Sequence, residues 1–148
     1  MCNCCRCNSV SLNEKFMRSY YSTYNSEDAD ALAEFYHADV ELVTEEGARH
    51  GAENLLATYR GLIAQFHDNM TPLHISIQEN TATVEILDRF TAKQPVADFF
   101  GFAMLPGESI DLRLRGSYEF MDGKFTRVRI EMLQMPASVR RAPPAVDG

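Results

Sequence analysis

Leu112-Arg113-Leu114-Arg115-Gly116-Ser117-Tyr118-Glu119-Phe120-Met121-Asp122-Gly123-Lys124 alternates apolar and polar residues and then turns on Asp-Gly. Strict alternation marks a strand with one dry face and one wet face. Asp-Gly between two alternating runs is the strongest short hairpin signal, because both positions accept positive φ. The stretch predicts two antiparallel strands, about 110–121 and 124–133. Upstream, Val84, Ile86, Asp88 and Phe90 form another inward set. After Pro72, Leu73, Ile75 and Ile77 alternate with His74, Ser76 and Gln78. The second half of the chain is thus an antiparallel run of strands, and something must cover its dry face.

The first half supplies the cover. Leu12, Phe16, Tyr20 and Tyr24 recur every four residues, a helical stripe that Asn25 and Ser26 interrupt. Asp28 or Asp30 can cap a short second helix carrying Leu32, Phe35 and Tyr36. A strand at 40–44 ends in the charged turn Glu45-Glu46-Gly47. Gly51 then precedes an amphipathic helix with Leu55, Leu56, Tyr59, Leu62, Ile63 and Phe66 on one side. The expected architecture is α+β: a curved antiparallel sheet covered by three N-terminal helices, shaped as a cone with one hydrophobic pocket between helices and sheet.

Composition bounds the rest. A chain of 148 residues makes one domain, burying roughly 70% of its unfolded surface. The net charge of −7 argues against a nucleic-acid groove. No apolar run approaches the roughly 20 residues that span a bilayer, and no secretory signal is visible at the start. A cytoplasmic protein without membrane contact is expected. Cys2, Cys4, Cys5 and Cys7 are the four cysteines, so no disulfide joins the elements of the domain. They define a head at 1–10, read as disordered and reactive; one soft metal ion held by four clustered thiolates is the alternative. The patterned domain covers 11–135, and 136–148 reads as a disordered tail.

Four pieces of sequence carry a family resemblance. They are Tyr20-Tyr21-Ser22-Thr23-Tyr24-Asn25-Ser26-Glu27-Asp28-Ala29-Asp30, Phe35-Tyr36-His37-Ala38-Asp39-Val40-Glu41-Leu42, Arg49-His50-Gly51, and the closing hairpin quoted above. In this order and spacing the chain resembles the SnoaL-like branch of the NTF2-like superfamily over about 14–133. The resemblance implies the cone fold, a small-molecule pocket and homodimers through the outer sheet face. Ketosteroid isomerases of this superfamily use a tyrosine on the first helix, which Tyr20 matches. Their base falls on Thr44 and their second acid on Gly116, so ketosteroid isomerase chemistry is rejected. The Asp-Arg-Asp set of the epoxide hydrolases is not evident.

Asp88 is the most informative residue. It sits in the apolar phase of its strand and so faces inward, where loss of solvation raises a carboxyl pKa and suits it to acid or base work. A structural carboxyl bonded to backbone or to a tyrosine is the alternative. Tyr20, Tyr24, Tyr36, Tyr59 and Tyr118 lie on apolar faces; Tyr20 and Tyr118 are the candidates for stabilising a ligand oxygen beside Asp88. Tyr24, Tyr36, Thr44, Tyr59, Phe90 and Phe102 are expected to line the pocket. The apolar residues of 93–108 read as a flap over it, or as a fixed plug that fills it.

His74 belongs to the outer phase, while His37, His50 and His67 sit near element ends; none has metal-site spacing, so no metal or other cofactor is expected. Arg113, Arg115, Arg127 and Arg129 share the outer phase with Glu119 and Glu131, as cross-strand ion pairs or a polar dimer face rather than an anion patch. Two functions fit. One is a cofactor-independent isomerase, cyclase or lyase acting on a small hydrophobic carbonyl compound. The other is a non-catalytic ligand-binding or protein-interaction domain.

Overall fold

The computed structural model describes residues 12–141. The cysteine-rich head and residues 142–148 of the expected tail lie outside the described residues. Asn13 accepts a hydrogen bond from the Phe16 N–H at 2.8 Å and starts helix α1 (Glu14–Asn25). Asp28 does the same for Ala31 and starts α2 (Ala29–Ala33). Each side-chain oxygen satisfies an N–H that the first helical turn leaves free. Then come β1 (Tyr36–Thr44), β2 (Gly47–His50), α3 (Ala52–Gln65), β3 (Phe66–Gln78) and β4 (Thr81–Ala92). The chain continues through β5 (Val96–Phe99), β6 (Phe102–Met104), β7 (Ser109–Met121) and β8 (Lys124–Gln134). No helix among the described residues is long and apolar enough to cross a membrane.

Six strands form one sheet in the order β2-β1-β8-β7-β4-β3, and β5 pairs only with β6. The expected hairpin is present. Asp122 and Gly123 turn β7 into β8 with φ of 53° and 83°, the doubly positive geometry that Asp-Gly adopts readily. One pair departs from the all-antiparallel expectation: β1 and β8 run parallel, which makes the sheet mixed. The direction of β8 is set by its hairpin with β7. That of β1 is set by its approach from α2, where the Phe35 carbonyl accepts from the Phe125 N–H at 2.8 Å. No short turn links the two strands, so nothing forces them antiparallel.

Strand β3 is longer than its sequence pattern suggests. It starts at Phe66 rather than after Pro72 and runs along the sheet edge, where a missing proline N–H breaks no ladder. A register shift between Pro72 and His74 lies between two different phases. Phe66, Asp68 and Met70 are buried before it; after it Ile75 and Ile77 are half-buried while Leu73, expected to point inward, is 46% exposed. The core lies between the helices and the inner phase of the sheet, with Met17, Tyr21, Val84, Ile86, Tyr118 and Phe125 almost wholly buried.

The outer phase carries ion pairs. Arg115 faces Glu131, and Arg127 faces Glu119 and Glu41, across neighbouring strands. Arg113 pairs with Glu85. Beyond β8 the chain does not leave the body at Pro136. Ser109 and Arg140 exchange both backbone hydrogen bonds, at 3.0 and 2.7 Å, so the segment through Arg141 lies against the start of β7.

Candidate active site

The pairing of β3 with β4 creates the site. Met70 is opposite Asp88 and Asp68 is opposite Phe90. With a side-chain period of two, Asp68 and Asp88 become diagonal neighbours on the inner face. Both are buried, at 3% and 1% exposure, and their carboxyls are within hydrogen-bonding reach of each other. The Tyr24 hydroxyl donates to Asp68 Oδ2 at 2.7 Å. Oδ1 of Asp68 and Oδ1 of Asp88 take no hydrogen bond from any donor among the described residues.

Burial raises the Asp68 pKa above the ordinary carboxylate value despite its hydrogen bonds. Burial, and next the Asp68 charge, push Asp88 well above it. Two carboxylates this close cannot both ionise without a cation between them. Two cations close to Asp88 along the chain are engaged elsewhere. Lys93 Nζ is 2.6 Å from Glu27 Oε1 and from the Ile63 carbonyl oxygen. Arg89 points outward and makes two hydrogen bonds to Asp111. Both shifts act in the same direction and favour a proton held on the pair.

Tyr24 is held in place by its neighbour. The Asn25 side chain donates to the Met70 carbonyl at 2.9 Å and accepts from the Met70 N–H at 2.7 Å. This fastens the last turn of α1 to the edge strand. The Tyr59 hydroxyl donates to the Tyr24 carbonyl at 2.6 Å, with the two rings 4.9 Å apart edge to face. Burial pushes the Tyr59 phenol up to about 12.

All six tyrosines of the chain join this interior. Tyr20 and Tyr36 share a hydrogen bond at 2.6 Å, and Tyr21 and Tyr118 share one at 2.7 Å. Burial raises the pKa of all four hydroxyls, so they stay protonated far into the alkaline range. Tyr118 lies over Gly116 on its own strand: a Cβ on Gly116 would sit 2.6 Å from the Tyr118 hydroxyl. The space a side chain at Gly116 would occupy is thus filled by a phenol.

Asp88, Tyr24, Tyr36, Tyr59 and Phe90 come together with Tyr20 and Tyr118 in one interior. The tyrosine hydroxyl expected at Asp88 belongs to Asp68 instead. Tyr20 and Tyr118 bond to other tyrosines and make no hydrogen bond to either aspartate. Thr44 stands apart, because its hydroxyl accepts from the Glu46 N–H at the β1–β2 turn. Phe102 is half-buried on β6, and its hairpin partner Phe99 is the residue that reaches inward. Phe99 packs 4.5 Å from the Phe66 ring and 5.0 Å from the Phe90 ring.

Asp68 is the functional candidate that the sequence pattern hid. Phe66-Asp68-Met70 repeats the apolar–acid–apolar phase of Ile86-Asp88-Phe90. It becomes visible only if a strand is allowed to run through Pro72. On the outer side of the sheet, Asp111, Arg113, Gln134, Met135, Ser138 and Arg140 line a cleft of about 430 Å³. Among the described residues no three His, Cys, Asp or Glu side chains form a metal cluster.

Comparison with known proteins agrees with this geometry at the level of the fold. An inferred polyketide cyclase from Xanthomonas campestris pv. campestris superposes with a TM-score of 0.68 at 17% identity, over 79% of this chain and 87% of the other. An epoxide hydrolase of the LEH-like type from M. tuberculosis gives 0.65 at 13% identity, over 80% of each chain. A Catenulispora acidiphila protein with a ketosteroid isomerase-like fold, in complex with trimethylamine, gives 0.65 at 11% identity, over 80% and 85%. A comparison with curated protein sequences gives no match. The profile of the SnoaL-like domain matches residues 17–128, most of the region in which the helices, the paired aspartates and the tyrosines lie, and the chain belongs to that family.

Proposed function

We propose that the protein is a cofactor-independent acid–base enzyme, an isomerase, cyclase or lyase, acting on a small hydrophobic carbonyl compound inside the cone. One observation carries this reading: Asp88 is buried on the inner face with a carboxyl oxygen that no donor among the described residues satisfies. Burying a polar atom unpaired costs about 1–3 kcal/mol, and such a cost is retained where a site is tuned for chemistry. The aromatic layer of Phe66, Phe90 and Phe99 supplies the apolar surroundings. The β5–β6 hairpin is the flap, because it pairs only with itself and moves without breaking the main sheet. The protein works as a homodimer through the outer sheet face, where Leu133 is 40% exposed among the ion pairs.

The test uses methyl NMR of the full chain with a panel of small apolar ketones. The reading expects shifts at Met70, Ile86 and Leu112 on binding. In Asp88→Asn binding persists while turnover falls by about a hundredfold or more. Shifts confined to the outer face would refute it. A non-catalytic binding domain is the second reading, favoured by the tyrosine hydroxyls already being engaged by protein groups. Binding with no turnover of any ketone that occupies the interior selects it.

A further inference from the structure

We propose that Asp68 is a second catalytic carboxyl, and that Asp68 and Asp88 act as a pair sharing one proton, with Asp68 the base and Asp88 the acid, on small apolar ketones or 1,3-dicarbonyls with an enolisable C–H. This rests on the reading above that the interior is an acid–base site, and it assigns the roles that reading leaves open.

The assignment follows from where donors are placed. The Tyr24 hydroxyl has one proton, and it goes to Asp68 Oδ2. A hydrogen bond donated to a carboxylate favours its charged form. Oδ1 of Asp88 receives no such bond from the described residues. The negative charge therefore resides on Asp68, and the proton resides on Asp88, from which it is donated to Asp68. The titratable groups around the pair do not reverse this. Tyr20 and Tyr59, from α1 and α3, are neutral phenols, and Glu27 in the α1–α2 turn is bound by Lys93 and His67. From β7, Asp111 lies on the outer side, bonded to Arg89 and Arg140.

A carboxylate and a carboxylic acid side by side can serve the two ends of an H–C–C=O unit together. Asp68 takes the proton from the carbon next to the carbonyl. The electron pair of that C–H bond becomes the C=C bond, and the carbonyl π pair moves to oxygen, which takes the proton from Asp88. The products are the enol, a neutral Asp68 and an ionised Asp88. A proton passing from Asp68 to Asp88 restores the resting pair, so no oxidant, reductant or outside base is consumed. The substrate must be apolar, because Phe66 and Phe90 flank the pair on its own strands and Met70 lies directly opposite Asp88.

Two measurements on the full chain test this. The first is a carbon NMR titration of protein labelled at the aspartate carboxyls. In the wild type one carboxyl is expected to stay protonated through neutral pH, and in Asp68→Asn the Asp88 titration is expected to move down towards the ordinary value. The wild-type titration alone overturns the proposal if both carboxyls ionise at ordinary values, whatever the variants do. An Asp88 titration unchanged in Asp68→Asn also overturns it. The second measurement is deuterium exchange at the α-carbons of cyclohexanone in deuterium oxide. Wild-type acceleration should fall about a hundredfold in both Asp68→Asn and Asp88→Asn. Loss in Asp88→Asn with retention in Asp68→Asn overturns the role of Asp68 and leaves the single-carboxyl enzyme standing. A coupled titration with no acceleration by the wild type overturns the enzyme reading, and the assigned roles fall with it.

Discussion

At Asp88, burial and charge oppose each other, and pH decides the balance. Its folded pKa is raised, first by burial and then by Asp68. Between the unfolded value of about 3.9 and the folded one, the native state binds more protons than the unfolded state. Stability therefore falls as pH climbs through that window, and the loss persists above it. Asp88→Asn removes the ionisation while keeping the size and a hydrogen-bond donor towards Asp68. It should raise the melting temperature at neutral pH and flatten the dependence on pH, measured by thermal scans across the acid range. A variant less stable than wild type at neutral pH would contradict this. Gly116 is constrained for a steric reason. A methyl group there meets the Tyr118 ring and hydroxyl at 2.6–2.9 Å, and the ring is held by Tyr21 at its tip. Gly116→Ala should cost about 1–3 kcal/mol, the usual range for overpacking a core, read by denaturant unfolding. Gly116→Ala in a Tyr118→Phe background should cost less, because the contact with the hydroxyl is gone.

At the scale of elements, the join between α1 and β3 matters most. The Asn25 side chain imitates a neighbouring strand by giving and taking one hydrogen bond with the Met70 backbone. Strand β3 is a sheet edge, so Met70 is supplied by a side chain where a further strand would otherwise pair. Asn25→Ala leaves both backbone groups partly buried without those partners. It should cost about 1–3 kcal/mol and loosen the Tyr24 bond to Asp68. Hydrogen exchange of the Met70 amide would report it, with faster exchange expected there than in the centre of β4. At this scale the sequence was only partly legible. The Asp-Gly turn, the α3 stripe and the inward phase of β4 were readable, because each depends on local periodicity. The early part of β3 was not. A proline inside a strand is permitted only at an edge, and which strand is the edge is a property of the whole sheet.

At the scale of the molecule, the outer face poses the question of assembly. Its ion pairs are each half-exposed, so each contributes only about 0–1 kcal/mol, and they hold the sheet together less than the core does. The homodimer reading expects light scattering to give about twice the chain mass of 16.7 kDa at micromolar concentration. High salt should leave a dimer resting on apolar contacts around Leu133 intact and weaken one resting on the arginine–glutamate pairs. A monomer mass at that concentration would overturn the reading.

The sequence by itself determined the class of fold and the inward placement of Asp88. Both follow from periodicity: apolar residues every four positions bury a helix face, and alternate apolar residues bury a strand face. Only the tertiary structure decided that Asp88 has a partner. Asp68 precedes it by twenty positions of chain, and nothing local links the two. They meet because β3 and β4 pair in one register, with a shift after Pro72 that leaves Asp68 in the buried phase. The same holds for the tyrosines. Their apolar positions were readable, but which hydroxyl bonds to which depends on helix α1 lying across the sheet, and that places Tyr24 on Asp68 and Tyr21 on Tyr118. Hydrogen bonds act over about 3 Å, so their partners are settled by packing and not by order along the chain.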